Sequence, residues 1–281
     1  MEIKNLSGTP LNVIIDCLLA AFADYFVKMP ADLPYWENRF KGARVDLGLS
    51  YGLFDGGKLA GFIIHGIDRL NGQWTAFNTG TGVIPGYRGQ RVVDQLYEQA
   101  LPELKARGIR KCALEVIQKN ERAIRVYERI GFRIERGLKC FKGDLPPSAN
   151  VDITEVDFNE IARVEHPNRR FYAWDNTDEA VCAAGEIYRS FLVAHEGREI
   201  GFFVINPRIG YVPQVELLPG VSADHWLNLL GGVAQVSSGI RINNVDESRH
   251  GLIEALGKAG LENHIDQYEM GLAVGGIAGI A

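Results

Sequence analysis

The chain has 281 residues, 46% of them hydrophobic and 23% charged, with a formal net charge of −5. This is a soluble, globular composition with room for two domains of ordinary size. It lacks the basic surplus that following a phosphate backbone requires, so nucleic acid is not an expected partner.

Cys17, Cys112, Cys140 and Cys182 are far apart, with neither metal-ligand nor redox spacing, and read as reduced thiols of a cytoplasmic protein. The start, MEIKNLSGTP, has no apolar signal core, and the terminal run GLAVGGIAGIA is too short to span a bilayer. The latter reads as a last strand with a small-residue tail.

Residues 11–27 carry apolar side chains at helical spacing, among them Leu11, Ile14, Leu18, Ala21 and Phe22. SYGLFDGGKLAGFIIHGI reads as two strands joined by a tight turn, Asp55-Gly56-Gly57-Lys58. QWTAFNTGTGVI is a third strand region. A helix over 89–107 should end at Gly108 and be bent or broken by Pro102. KCALEVI is apolar at nearly every position, as a buried parallel strand would be. NERAIRVYERIGF is an amphipathic helix stopped by Gly131, and RIERGLKCFKG reads as a final strand pair. The order predicts an α/β domain with a mixed sheet. GDLPPSAN, residues 143–150, then reads as a linker, which places domains at 1–145 and 146–281.

The second half repeats the first. FDGGKLAGFII matches AHEGREIGFFV, with Gly57, Lys58, Gly61 and Phe62 on Gly197, Arg198, Gly201 and Phe202. VIPG matches LLPG, and EVIQKNERAIRVYERIGF matches NVDESRHGLIEALGKAGL, with Gly131 on Gly260 and Val116 on Val245. Three colinear matches predict a duplicated fold.

In VIPGYRGQRVVDQL, residues 83–96, a strand runs through a glycine turn into a helix N-terminus. Unpaired backbone N–H groups and the helix dipole favour phosphate at such a place. Arg88 adds a charge and Gly89 lets the backbone come close. Asn120, Ala123, Tyr127, Gly131 and Phe132 follow at the spacing Asn-x-x-Ala-x-x-x-Tyr-x-x-x-Gly-Phe. Together these residues resemble the core of the GCN5-related N-acetyltransferase (GNAT) superfamily, whose members move an acetyl group from acetyl-CoA to an amine. The resemblance covers about residues 10–142 and, in weaker form, 150–281. It implies two tandem GNAT-like domains, each a mixed, mostly antiparallel sheet flanked by helices.

In that family an Arg/Gln-x-x-Gly-x-Gly/Ala turn cradles the CoA pyrophosphate. The resemblance thus implies cofactor contacts at Val83, Ile84 and Pro85, at Arg88, Gly89, Gln90, Arg91, Val92 and Val93, and at Asn120 along the pantetheine arm. Two neighbouring parallel strands splay apart to hold the thioester carbonyl: here the strand before Pro85 and CALEVI. Tyr127 is implied near the thioester sulfur, as general acid. Arg91 and Val93 stand where the family has small residues, so Arg91 either points outward or pairs with a phosphate.

The base is read from the residues themselves. Glu115 is the only charged residue in CALEVI, and His65, at a strand end, is the other candidate. Trp74 and Phe77 are candidates for lining an acceptor pocket. No metal is expected. The implied partners are acetyl-CoA and a primary amine of a small molecule or peptide, with a homodimer allowed and no membrane. Two other readings stand beside this one: a catalytically silent CoA-binding or sensing module, and a pure interaction protein. The second copy lacks the Arg-Gly turn and has Arg249 for Asn120 and Leu256 for Tyr127. It should not bind CoA in this way, and should complete the substrate pocket or stabilise the first half.

Overall fold

The computed structural model describes residues 1–24, 28–146 and 150–275. Residues 25–27 of the first expected helix, 147–149 of the expected linker and the tail from 276 lie outside the described residues. The chain divides into two compact units, Met1–Glu135 with Glu269 onward, and Arg136–Tyr268. The division falls inside a strand, ahead of the proline pair.

The first unit contains β1 (Glu2–Asn5), α1 (Leu11–Ala21), α2 (Leu33–Gly42), β2 (Tyr51–Asp55), β3 (Lys58–Leu70), β4 (Gln73–Val83), α3 (Val92–Ala106), β5 (Lys111–Ile117), α4 (Glu121–Ile130) and the start of β6 (Arg133–Asp144). The strands lie in the order β1-β2-β3-β4-β5, antiparallel except for β4 and β5. The expected hairpin is present, with Gly56 and Gly57 at φ +55° and +84°. Such angles suit glycine because it has no Cβ to clash.

Helices cover both faces of this sheet. Ile14, Ile15 and Leu18 of α1 pack with Phe62 and Ile64 of β3. Gly61, out of step with these, meets α3: a Cβ there would lie 2.9 Å from Val92 Cγ1. Alternation along one strand thus assigns one face to each helix. α3 begins at Val92, later than expected, because Gly89 and Arg91 are both left-handed (φ +79° and +54°). It continues through Pro102. α4 is capped by Asn120, whose Oδ1 accepts from the Ala123 N–H at 3.2 Å, and ends at left-handed Gly131. α2 and β1 were not apparent in the sequence pattern.

The second unit contains β7 (Val151–Val156), α5 (Phe158–Ala162), α6 (Asp178–Ala184), β8 (Arg189–His195), β9 (Arg198–Asn206), β10 (Tyr211–Leu217), α7 (Trp226–Val236), β11 (Gly239–Asp246), α8 (His250–Lys258) and most of β12 (Glu262–Ala273). β6 pairs antiparallel with β11, and the order continues β10-β9-β8-β7. Leu229, Leu230 and Val233 of α7 pack with Val193, Phe203 and Ile205, while Ile161 and Val181 join Phe202 and Val204.

The duplication holds at backbone level. The β8–β9 turn uses Glu196 and Gly197 at φ +51° and +75°, as β2–β3 uses Gly56 and Gly57. The Phe132 N–H donates to the Tyr127 carbonyl at 3.0 Å, and the Leu261 N–H to the Leu256 carbonyl at 3.0 Å. RIERGLKCFKG is one strand, β6, and not the expected pair. Its Gly137 makes no turn: it gives room to Glu247, whose N–H donates to the Gly137 carbonyl at 3.0 Å. The last strand ends in the first unit, where the Val274 N–H donates to the Arg110 carbonyl at 2.8 Å. Among the described residues no helix is long and apolar enough to cross a membrane.

Leu256 is fully buried in the second core. Leu256→Ala should therefore cost about 2–5 kcal/mol in urea unfolding.

Candidate active site

The site begins where two strands part. β4 and β5 are in parallel register from Thr75–Lys111 to Asn78–Leu114, and no pair follows. On its other side β4 stays paired to β3, with a register shift between Ile64 and His65 that leaves Thr79 as a bulge. Among the described residues the open stretch of β4 then runs to Val83 with no strand paired on the β5 side.

A short 3-10 turn, Pro85–Tyr87, follows, and the Arg88 N–H closes it on the Pro85 carbonyl at 3.2 Å. The Arg88 side chain is a clamp. It donates to both carboxylate oxygens of Asp24, at 2.6 and 2.8 Å, to the Ala21 carbonyl at 2.9 Å and to the Val83 carbonyl at 3.1 Å. Hydrogen bonds from Arg88 hold the Asp24 carboxyl down at about 2. In this structure the Arg88 N–H is bonded within the turn and its guanidinium to Asp24 and two carbonyls, partners the sequence did not suggest. Its guanidinium ties the turn to the end of α1.

The N–H groups of Gly89, Gln90, Arg91, Val92 and Val93 have no acceptor among the described residues. They form the positive end of α3. Four of these residues, Gly89, Arg91, Val92 and Val93, border a cavity of about 640 Å³. One wall is Thr81, Gly82 and Val83 of β4; another is Asn120, Arg122, Ala123, Arg125, Val126, Tyr127 and Arg129 at the head and along one face of α4. Arg129 is held by Asp94 through paired bonds of 2.6 Å each, and Arg125 by Glu121 at 3.0 Å. Arg91 and Arg122 make no ion pair within 4 Å among the described residues, though each lies near enough to a carboxylate, Asp94 and Asp24 respectively, to act on it. The cavity thus gathers N–H groups without acceptors and Arg91 from the head of α3, Arg122 from the first turn of α4 and Tyr127 from its last turn.

Of the residues expected at the site, Val83, Arg88, Gly89, Arg91, Val92, Val93, Asn120 and Tyr127 line this cavity. Ile84, Pro85, Gln90 and Glu115 do not. Ile84 packs into the α1 core, and the Gln90 amide bonds back to the Gly86 carbonyl at 3.3 Å. Glu115 is half-buried on the part of β5 that has left β4. Tyr127 is buried to 9% exposure, with its ring edge-on to Phe132 at 5.7 Å.

His65 is fully buried and donates Nδ1–H to the Leu49 carbonyl at 2.7 Å. Burial pushes it down to about 4, against the pull of that bond, so the ring is neutral. It does not line the cavity. Phe77 is core, and Trp74 is exposed beside Arg69 near the β3–β4 turn. Sequence reasoning missed Asp24, Asp94 and the arginines of α4. The arginines carried a signal, since positions 122, 125 and 129 share one helical face. Asp24 carried none.

Residues 15–132 match the Acetyltransferase (GNAT) family. Over 111 residues the chain is 32% identical to the [Ribosomal protein bS18]-alanine N-acetyltransferase of Escherichia coli (strain K12), covering 39% of this chain and 72% of that protein. The chain belongs to the GNAT acetyltransferase family.

Two solved structures share the fold along nearly the whole length. One is a putative acetyltransferase from Pyrococcus horikoshii, with TM-score 0.68 and 15% identity, covering 97% of this chain and 89% of that one. The other is a tandem GNAT protein from the clavulanic acid biosynthesis pathway, with TM-score 0.67 and 14% identity, covering 98% and 99%. The architecture is thus that of a tandem GNAT protein.

The second GNAT-like unit does not reproduce the site. Its parallel pair β10–β11 is reduced to Tyr211–Arg241. Arg249, at the position of Asn120, reaches Glu216 on β10 at 2.7 Å, and Glu216 also accepts from Asn168 at 2.9 Å and Tyr172 at 3.0 Å. Burial raises the Glu216 carboxyl despite these partners.

Two outcomes follow from the turn. The Asp24 carboxyl should titrate near 2 by NMR, and return toward 3.8 in Arg88→Ala. Because the folded value is depressed, the clamp is at full strength above pH 3.8 and is lost as pH falls through 2. Arg91 occupies left-handed backbone at φ +54°. Arg91→Gly should stabilise the protein by about 0.5–1 kcal/mol in urea unfolding, as relief of the Cβ clash outweighs the added chain entropy.

Proposed function

We propose that the first unit binds acetyl-CoA in this cavity and transfers its acetyl group to a primary amine. The observation that carries the reading is that Gly89, Arg91, Val92 and Val93 at the head of α3, their N–H groups free of acceptors among the described residues, line one cavity with Arg122. A pyrophosphate supplies the anionic oxygens these donors lack. The pantetheine arm then runs past Asn120 into the gap between β4 and β5. The Asn120 Oδ1 is occupied by the helix cap, so its amide hydrogens face the arm.

The amine attacks the thioester carbonyl. Its proton passes through solvent to Glu115, which lies outside the cavity wall. Tyr127 donates its proton to the departing CoA sulfur. The acceptor is an amino group on a small molecule or at a peptide end. The Escherichia coli relative is named for an alanine of ribosomal protein bS18, which makes alanine-ended peptides the first acceptors to try.

Calorimetry with acetyl-CoA and a turnover assay against an amine panel test this reading. One site per chain is expected, from the first unit alone. Binding without turnover on any amine would leave a silent CoA-binding module. Tyr127→Phe should lower kcat by about 10²–10⁴-fold with little change in acetyl-CoA affinity. Arg122→Ala should weaken acetyl-CoA binding about fivefold, the value of an exposed ion pair, and the loss should shrink at high salt.

A further inference from the structure

Asn78 is the last residue of β4 in register with β5, and it is buried. Its side-chain orientation is fixed by the backbone. The Gly80 N–H lies 3.1 Å from one end of the amide, and an N–H can only donate, so that end is the oxygen. The nitrogen end therefore faces two hydroxyls, Thr81 Oγ1 at 2.5 Å and Tyr97 Oη at 2.8 Å. An amide nitrogen has two hydrogens and no lone pair to offer, so both hydroxyls accept. Each keeps its own hydrogen for another acceptor. Tyr97 spends its position holding Asn78 from α3, fixed by edge-on contacts to Phe132 at 5.4 Å and His65 at 5.9 Å. Thr81 lines the cavity, on the stretch of β4 that has parted from β5, and its hydroxyl has no second partner among the described residues.

The geometry points to Thr81 as a further catalytic residue, whose hydroxyl donates to the thioester carbonyl oxygen, with Asn78 and Tyr97 as its positioning residues. This rests on the reading that acetyl-CoA occupies the cavity. The hydroxyl is set as a donor, so it suits an oxygen acquiring charge. A donor placed on the amine would instead tie up the lone pair that must attack. As the C–N bond forms, the carbonyl π electrons move to oxygen, and the Thr81 hydrogen bond shortens onto that charge. When the C–S bond breaks, the carbonyl re-forms and the sulfur leaves with its electron pair. Thr81 keeps its proton throughout.

The test uses the full chain and acetyl-CoA labelled with ¹³C at the carbonyl. In the wild type the bound carbonyl resonance should move downfield of the free value, as for any carbonyl accepting a strong hydrogen bond. Thr81→Val, which keeps the shape and loses the hydroxyl, should bring it back toward the free value, while Thr81→Ser keeps the shift. Affinity for CoA, which has no acetyl carbonyl, should be the same in all three. With an accepted amine, Thr81→Val should lower kcat about 10²-fold and Thr81→Ser should restore most of it. Asn78→Asp replaces the amide by an acceptor-only carboxylate that captures the Thr81 hydrogen, so it should mimic Thr81→Val with Thr81 intact. If Asn78→Asp does not fold, the valine–serine pair decides. A bound resonance identical in wild type and Thr81→Val overturns the role of Thr81. Failure of the wild type to bind acetyl-CoA overturns instead the reading of the cavity.

Discussion

The parallel pairing of β4 with β5 stops at Asn78–Leu114, and the rest of the site depends on that stop. Backbone groups released from a ladder inside a domain must find other partners. β4 keeps its bonds to β3 on one edge and takes a bulge at Thr79, which turns the strand away from β5. The opening that results is a cavity wall, and the side chains that border it come from α3 and α4, the helices that follow each of the two strands.

The turn after β4 shows how the opening is kept in shape. Arg88 spends its side chain on Asp24 and on carbonyls of α1 and β4. Its role is to hold the turn in place, while the donors that remain available are backbone groups further along. Those groups are aligned by two left-handed residues, Gly89 and Arg91. Glycine takes such angles freely. Arginine does so at a conformational cost, and in return it puts a cation at the cavity edge.

The second unit has the same strands, hairpin turn and helix stop, yet its corresponding region is closed from within. Glu216 stands where Gly82 does when LLPG is laid on VIPG. In the first unit a Cβ at Gly82 would strike Phe62 and Ala21 at 2.7 and 2.8 Å. In the second, the carboxylate is buried among Arg249, Asn168 and Tyr172. A buried ion pair of this sort is stable only while every partner stays in place, so the region is committed to structure.

The sequence by itself determined the elements whose signals are local. The hairpin glycines, the Gly131 stop, the buried parallel strand and the repeat of this order in the second half all rest on neighbours along the chain. Backbone angles and apolar spacing act over a few residues, so they are legible. The strand–turn–helix and the α4 motif were legible too, because each is a short segment with its own chemistry. What only the tertiary structure decided involves partners distant in sequence. Arg88 is paired with Asp24, 64 residues away. His65 is sealed in the core, Glu115 stands off the cavity, and β6 is one strand because Glu247 needs the room at Gly137. Hydrogen bonds and burial depend on what folding brings near, and no spacing within a strand records it.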